Sequence, residues 1–157
     1  MPLNDGLNDL QKLILQTDRH PLLFVGIGNV LRKDDGAGVY ISRNIRETEK
    51  ISVLTVEVSI ENYIGKINSL NPGLLILTDC MEFNQPPGTC RLIPLDKIVD
   101  QTFNTHNISL NRLGDFFRMP VYVLGIQPQS IEFGEHLSDS VKKSADRIVQ
   151  AINHTNF

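Results

Sequence analysis

Three apolar runs limit the fold of this chain more than any other feature: "LLFVGIG" (Leu22–Gly28), "LLILTDC" (Leu74–Cys80) and "VYVLGIQP" (Val121–Pro128). Each is continuous rather than alternating, and they close on Gly28, Asp79-Cys80 and Gln127-Pro128. Strands of this kind are covered on both faces, the situation of parallel strands with helices above and below. Two further runs, "ISVLTVEV" (Ile51–Val58) and "GTCRLIPL" (Gly88–Leu95), complete five predicted strands.

Helical stripes lie between them. Leu7, Leu10, Leu13 and Ile14 share one helical face, as do Ile60, Tyr63, Ile64 and Ile67, the latter opened by Ser59 as a cap. A helix is predicted from Asp34 through "DDGAGVYISRNI", its acids suited to the positive end of the helix dipole. Another is predicted near Asn107, burying Leu110, Leu113, Phe116 and Phe117, and a last one carries Val141, Ala145, Ile148, Val149 and Ile152. The alternation predicts an α/β fold: a single three-layer domain over residues 1–157, with a five-stranded, mostly parallel, twisted sheet between helices. Residues 1–20 read as an N-terminal helical extension packed on it. Right-handed crossovers bring the ends of the first, third and fifth strands to one edge, where ligands of such folds bind.

Composition narrows the function. A net charge of −3 gives no basic field for nucleic acid or anionic lipid. No apolar run approaches the length of a membrane span, and the acid-bearing amphipathic N-terminus is unlike a signal peptide. Two cysteines, Cys80 and Cys90, make no disulfide framework. The expectation is a cytoplasmic protein without membrane insertion or nucleic-acid partner; its oligomeric state is left open.

The chemistry collects just past the strand ends: Gly26-x-Gly28-Asn29 with Asp34-Asp35, then Asp79, then the loop "NTHNIS" holding His106, then Gln127-Pro128. Two carboxylates and an imidazole suit a divalent transition metal and leave coordination positions open. Each piece also has a structural reading. The glycines allow a sharp turn, Asp34 caps its helix while Asp35 complements the dipole, Asp79 pairs with a cation, and His106 is a loop residue. A phosphate loop fits poorly. Position 31 is Leu where the dinucleotide fingerprint needs glycine, no Gly-Lys-Ser/Thr follows, and two acids occupy the phosphate's place. Cys80 with His106 as a nucleophilic pair is disfavoured, since Asp79 raises a neighbouring thiol pKa and a small core cysteine is commoner. Cys90 reads as a strand residue, the remaining histidines as surface residues, and no Gly-x-Ser-x-Gly elbow occurs. Asp34 and Glu57 are nearby acids that a general base would be drawn from.

"GIGNVLRKDDGAGV", "LLILTDC", "THNISLNRL" and "VLGIQPQSIEFG" resemble, in order and spacing, the nickel–iron hydrogenase maturation proteases. The Thr-His-Asn loop and the Gly-Ile-Gln-Pro strand end resemble the subgroup serving hydrogenases of the formate hydrogenlyase type. The likeness covers about Leu22 to Ile152. It implies a cytoplasmic endopeptidase that removes a C-terminal extension from the hydrogenase large-subunit precursor after nickel insertion. It places the metal-contacting and catalytic positions on Asp35, Asp79 and His106, with nickel supplied by the substrate or another divalent metal at the same site. Glu57-Val58-Ser59 departs from the family's glycine pair, and the N-terminal helix is longer than expected. The alternatives from other classes are a non-catalytic metal- or small-molecule-binding module and a chaperone of the large subunit.

Overall fold

The computed structural model describes residues 5–98 and 110–155. Its five strands are β1 (Leu22–Ile27), β2 (Ile51–Glu57), β3 (Leu74–Cys80), β4 (Cys90–Pro94) and β5 (Val121–Ile126). They form one sheet in the order β2-β1-β3-β5-β4. β1 runs parallel to β2 and to β3, β3 runs parallel to β5, and the edge strand β4 is antiparallel to β5. The mostly parallel five-stranded sheet is therefore as expected, and each strand end falls within two residues of its predicted position.

Helices α1 (Asp5–Gln16), α2 (Ala37–Asn44) and α5 (Asp139–Asn153) cover one face. There Leu10, Ile14, Ile41, Val141, Ala145 and Ile148 pack on Leu22, Phe24, Ile76 and Leu124. Helices α3 (Ile64–Leu70) and α4 (Leu110–Leu113), with the irregular turns beside them, cover the other. Here Ile60, Ile67, Leu95, Leu113 and Phe117 pack on Leu23, Val25, Leu75, Leu77 and Val123. The two-residue period of each strand divides its apolar run between the two cores, which is why the run is unbroken. α1 is part of this architecture: Leu10 and Ile14 are fully enclosed, and a Cβ on Gly6 would lie 2.3 Å from the carbonyl of Cys90.

Three local expectations need correction. Ser59 precedes a 3₁₀ turn (Ile60–Tyr63) but makes no side-chain cap bond. The helix predicted from Asp34 begins as a 3₁₀ turn (Lys33–Gly36) that leads into α2. Phe116, expected in the core, is 62% exposed. α4 tightens after one turn into a 3₁₀ segment (Gly114–Phe116), so the helical period breaks at Leu113, while the extended Phe117 is buried as expected. The predicted start of that helix, Asn107, lies outside the described residues.

The position of α2 is set by backbone contact. A Cβ on Gly38 would lie 2.0 Å from the carbonyl oxygen of Thr78 and 2.5 Å from that of Ile27. A Cβ on Gly26 would lie 2.1 Å from Ser42 Oγ. Gly26, read from the sequence as a turn residue, thus serves close packing. Hydroxyls close the polar gaps: Thr78 Oγ1 lies 3.0 Å from the Val25 carbonyl and 3.2 Å from that of Gly38, and Ser42 Oγ lies 2.7 Å from Thr55 Oγ1.

Gly38→Ala is expected to destabilise the protein by about 2 kcal/mol or more, because backbone atoms on both strands must move; chemical denaturation measures it. A second expectation concerns pH. Burial first, then the charge of Asp9, pushes the Cys90 thiol up to about 12. The unfolded thiol ionises near its ordinary pKa of about 8.5, so between these values the folded chain holds a proton that the unfolded chain has lost. Stability therefore falls as pH rises through that window and is unaffected by this group below it. Cys90→Ala should make the alkaline decline shallower by up to about 1.4 kcal/mol per pH unit, as measured by denaturation at several pH values.

Candidate functional site

β1, β3 and β5 end side by side, and three loops meet at that edge. The chain leaves β1 through Gly28, whose φ is 137°. A Cβ there would lie 1.8 Å from the carbonyl oxygen of Asp35, so glycine is required both by conformation and by space. Asn29 then braces the loop. Its Oδ1 accepts the Leu31 N–H at 2.9 Å, and its own N–H donates to Asp35 Oδ2 at 2.9 Å.

Asp34 and Asp35 are both fully buried, yet they point to different tasks. Asp34 does not cap its own helix, contrary to the expectation. Its carboxylate accepts the N–H groups of Gln129 at 2.8 Å, Ser130 at 3.1 Å and Ser138 at 2.7 Å, and the Ser138 hydroxyl at 2.9 Å. Backbone bonds reinforce this clasp: Asp34 N–H to Ser130 O at 3.1 Å, Lys33 N–H to Gly134 O at 2.7 Å and Gly134 N–H to Leu31 O at 2.9 Å. The loop after β1 is thereby tied to the segment after β5. With its oxygens so engaged, Asp34 is not poised to take a proton from water. Glu57 is not poised either, for its carboxylate is exposed and lies 3.3 Å from Arg43.

Asp35 faces the other way, toward the end of β3. Asp79 is 1% exposed, and its Oδ1 accepts the Cys80 N–H at 2.8 Å. Cys80 Sγ donates to Asp35 Oδ1 at 3.2 Å. One ligand atom each from Asp35, Asp79 and Cys80 lies within 4.8 Å of the other two. Two buried carboxylates so close repel each other, and a divalent cation between them turns that repulsion into attraction. The donor set fits a borderline transition ion. Asp35 and Asp79 thus meet at one point, as their places in the sequence suggested. His106 lies outside the described residues.

Cys80 corrects the sequence reading. It is half-buried and touches Asp35 rather than sitting as a core cysteine. Burial first, then the charges of Asp79 and Asp35, raises its thiol well above the ordinary range, so it is no activated nucleophile. Gln127, also singled out, organises the loop after Cys80: its Oε1 accepts the Phe83 N–H at 2.6 Å, and its Nε2 donates to Glu82 Oε2 at 2.5 Å. No helix among the described residues is long and apolar enough to cross a membrane.

The clasp is testable apart from any chemistry. In Asp34→Asn an amide N–H₂ replaces one acceptor oxygen, leaving buried donors facing a donor. A loss of about 2–3 kcal/mol is expected, with faster hydrogen exchange at the Gln129, Ser130 and Ser138 amides, measured by NMR or mass spectrometry.

The family model for the HycI hydrogenase maturation proteases matches residues 39–155. A protein of Methanocaldococcus jannaschii, provisionally named a hydrogenase maturation protease, is 28% identical over 164 residues, covering 96% of this chain and 91% of its own. The crystal structure of a NiFe hydrogenase maturation protease, HycI, from Thermococcus kodakarensis superposes with a TM-score of 0.80 at 24% identity, over 92% of this chain and 96% of that one; it speaks to the fold. The solution structure of the endopeptidase HycI from Escherichia coli gives 0.71 at 28% identity, over 82% of this chain and 86% of that one. A five-stranded sheet ending in paired buried carboxylates and a family match over most of the chain lead to one conclusion: the protein belongs to the hydrogenase maturation protease family and is a peptide-bond hydrolase.

Proposed function

We propose that this chain removes the C-terminal extension of a nickel-loaded hydrogenase large-subunit precursor, and that Asp35, Asp79 and His106 contact the nickel. The observation that carries the proposal is the approach of two buried carboxylates, Asp35 and Asp79, within 4.8 Å of each other at the carboxyl edge of the sheet. His106 enters through the resemblance of its Thr-His-Asn loop to the family. The same loop and Gly125-Ile126-Gln127-Pro128 support the subgroup of formate hydrogenlyase type.

Two mechanisms use these residues. In one, Asp35, Asp79 and His106 would hold a resident divalent metal, which would supply Lewis-acid chemistry beside the scissile carbonyl. In the other, the protein grips the nickel already seated in its substrate. We favour the second. Binding energy is then available only from a loaded precursor, which makes cleavage wait for nickel. The carboxylates contribute charge and orientation, placing the metal-bearing end of the substrate beside the loops after β1 and β3. Neither Asp34 nor Glu57 is placed to serve as base, so the attacking water needs activation by the metal or by a substrate group.

The test is to incubate the purified chain with nickel-loaded and nickel-free precursor and to weigh the products by mass spectrometry. Loss of a C-terminal peptide from the loaded precursor alone is expected, falling by at least about a hundredfold in Asp79→Asn, as removal of a group acting on the reacting centre does. Efficient cleavage of nickel-free precursor would sink the nickel-gripping mechanism. No cleavage under any metal condition would favour a chaperone or binding module.

A further inference from the structure

Cys80 stands at the point where β3 ends, one residue after Asp79. Neighbouring strand residues point to opposite faces, so both can reach one site only where the sheet stops and a ligand can sit at its edge. Here they do so. Asp79 folds its Oδ1 back onto the Cys80 N–H at 2.8 Å, while Cys80 Sγ lies 3.2 Å from Asp35 Oδ1. The thiol proton therefore occupies ground between a sulfur and a carboxylate oxygen, with the Asp79 carboxylate inside the same 4.8 Å group.

We propose that Cys80 is itself a ligand: when a cation enters, its sulfur coordinates as thiolate beside Asp35 and Asp79. This rests on the reading that the site contacts a metal. As the sulfur–metal bond forms, the Sγ–H proton leaves to solvent, and nothing is oxidised or reduced. Sulfur changes what the site selects. Two carboxylates alone accept magnesium, calcium or manganese, whereas an added thiolate favours nickel, cobalt, zinc or copper. The site so described discriminates a late transition ion from the abundant hard cations by ligand softness. In Cys80 this chain carries its own means of recognising that the substrate is loaded with the right metal.

The experiment titrates the purified full chain with cobalt(II) alone, without thiol reagents, and follows near-ultraviolet absorption. A thiolate-to-cobalt charge-transfer band is expected in the wild type and in Cys90→Ala, and is displaced in competition by nickel(II). The band should vanish in Cys80→Ser, which keeps a hydroxyl to donate to Asp35. There cobalt affinity falls about tenfold or more, while magnesium affinity is unchanged. Far-ultraviolet circular dichroism confirms that each variant is folded. Cobalt bound without the band, a band that survives Cys80→Ser, or no cobalt binding up to millimolar concentration would each overturn the assignment. The proteolytic reading fails separately: a chain that shows the band but leaves nickel-loaded precursor intact keeps Cys80 as a ligand and loses its role in cleavage.

Discussion

The contact between Gly38 of α2 and the carbonyls of Ile27 and Thr78 sets the rest of the molecule. It brings a helix backbone against two strand backbones, closer than any side chain allows. Because α2 is held there, the 3₁₀ turn before it sits over the ends of β1 and β3, and Asp35 arrives beside Asp79. A helix packed at the usual distance on larger residues would carry that carboxylate away from the strand end. The site is thus a consequence of a glycine-mediated approach within the core, and Gly28, pressed against the Asp35 carbonyl, completes it.

Adjacent aspartates divide two tasks. Asp34 is a structural acceptor whose four hydrogen bonds join segments about a hundred residues apart in sequence. Asp35 accepts one amide and one thiol, both neutral donors, and lies against a second carboxylate. Burying charge is tolerable when hydrogen bonds or a cation compensate it. Asp34 has the first kind of compensation in full, and Asp35 stands where the second kind suits. The two residues are linked, since the clasp made by Asp34 fixes the backbone from which Asp35 projects.

In the function proposed above, hydrolysis of a peptide bond at this edge needs positioning more than an elaborate set of catalytic groups. Among the described residues, three other acids near the edge have partners of their own: Asp34 in the clasp, Glu57 with Arg43 and Glu82 with Gln127. Asp35, Asp79 and the Cys80 thiol instead form the group whose ligand atoms lie within 4.8 Å of one another. A family membership covering most of the chain and a donor set suited to a borderline ion both support the metal contact proposed above.

The sequence alone encodes the sheet. Unbroken apolar runs at β1, β3 and β5 have a single physical use, burial on both faces, and the helical stripes between them dictate parallel crossovers. It also determined that Asp35 and Asp79 would meet, because acids directly after such strands share one edge. Helix details were less legible: Phe116 and Phe117 are chemically alike, and which one turns inward depends on the tightening of a short helix. The parts of Asp34 and Cys80 emerge only from the folded arrangement. Three of the four bonds to Asp34 come from the backbone amides of Gln129, Ser130 and Ser138, which carry no signature in the side-chain sequence. The place of Cys80 follows from how β3 ends against Asp35, a distance that local pattern does not encode.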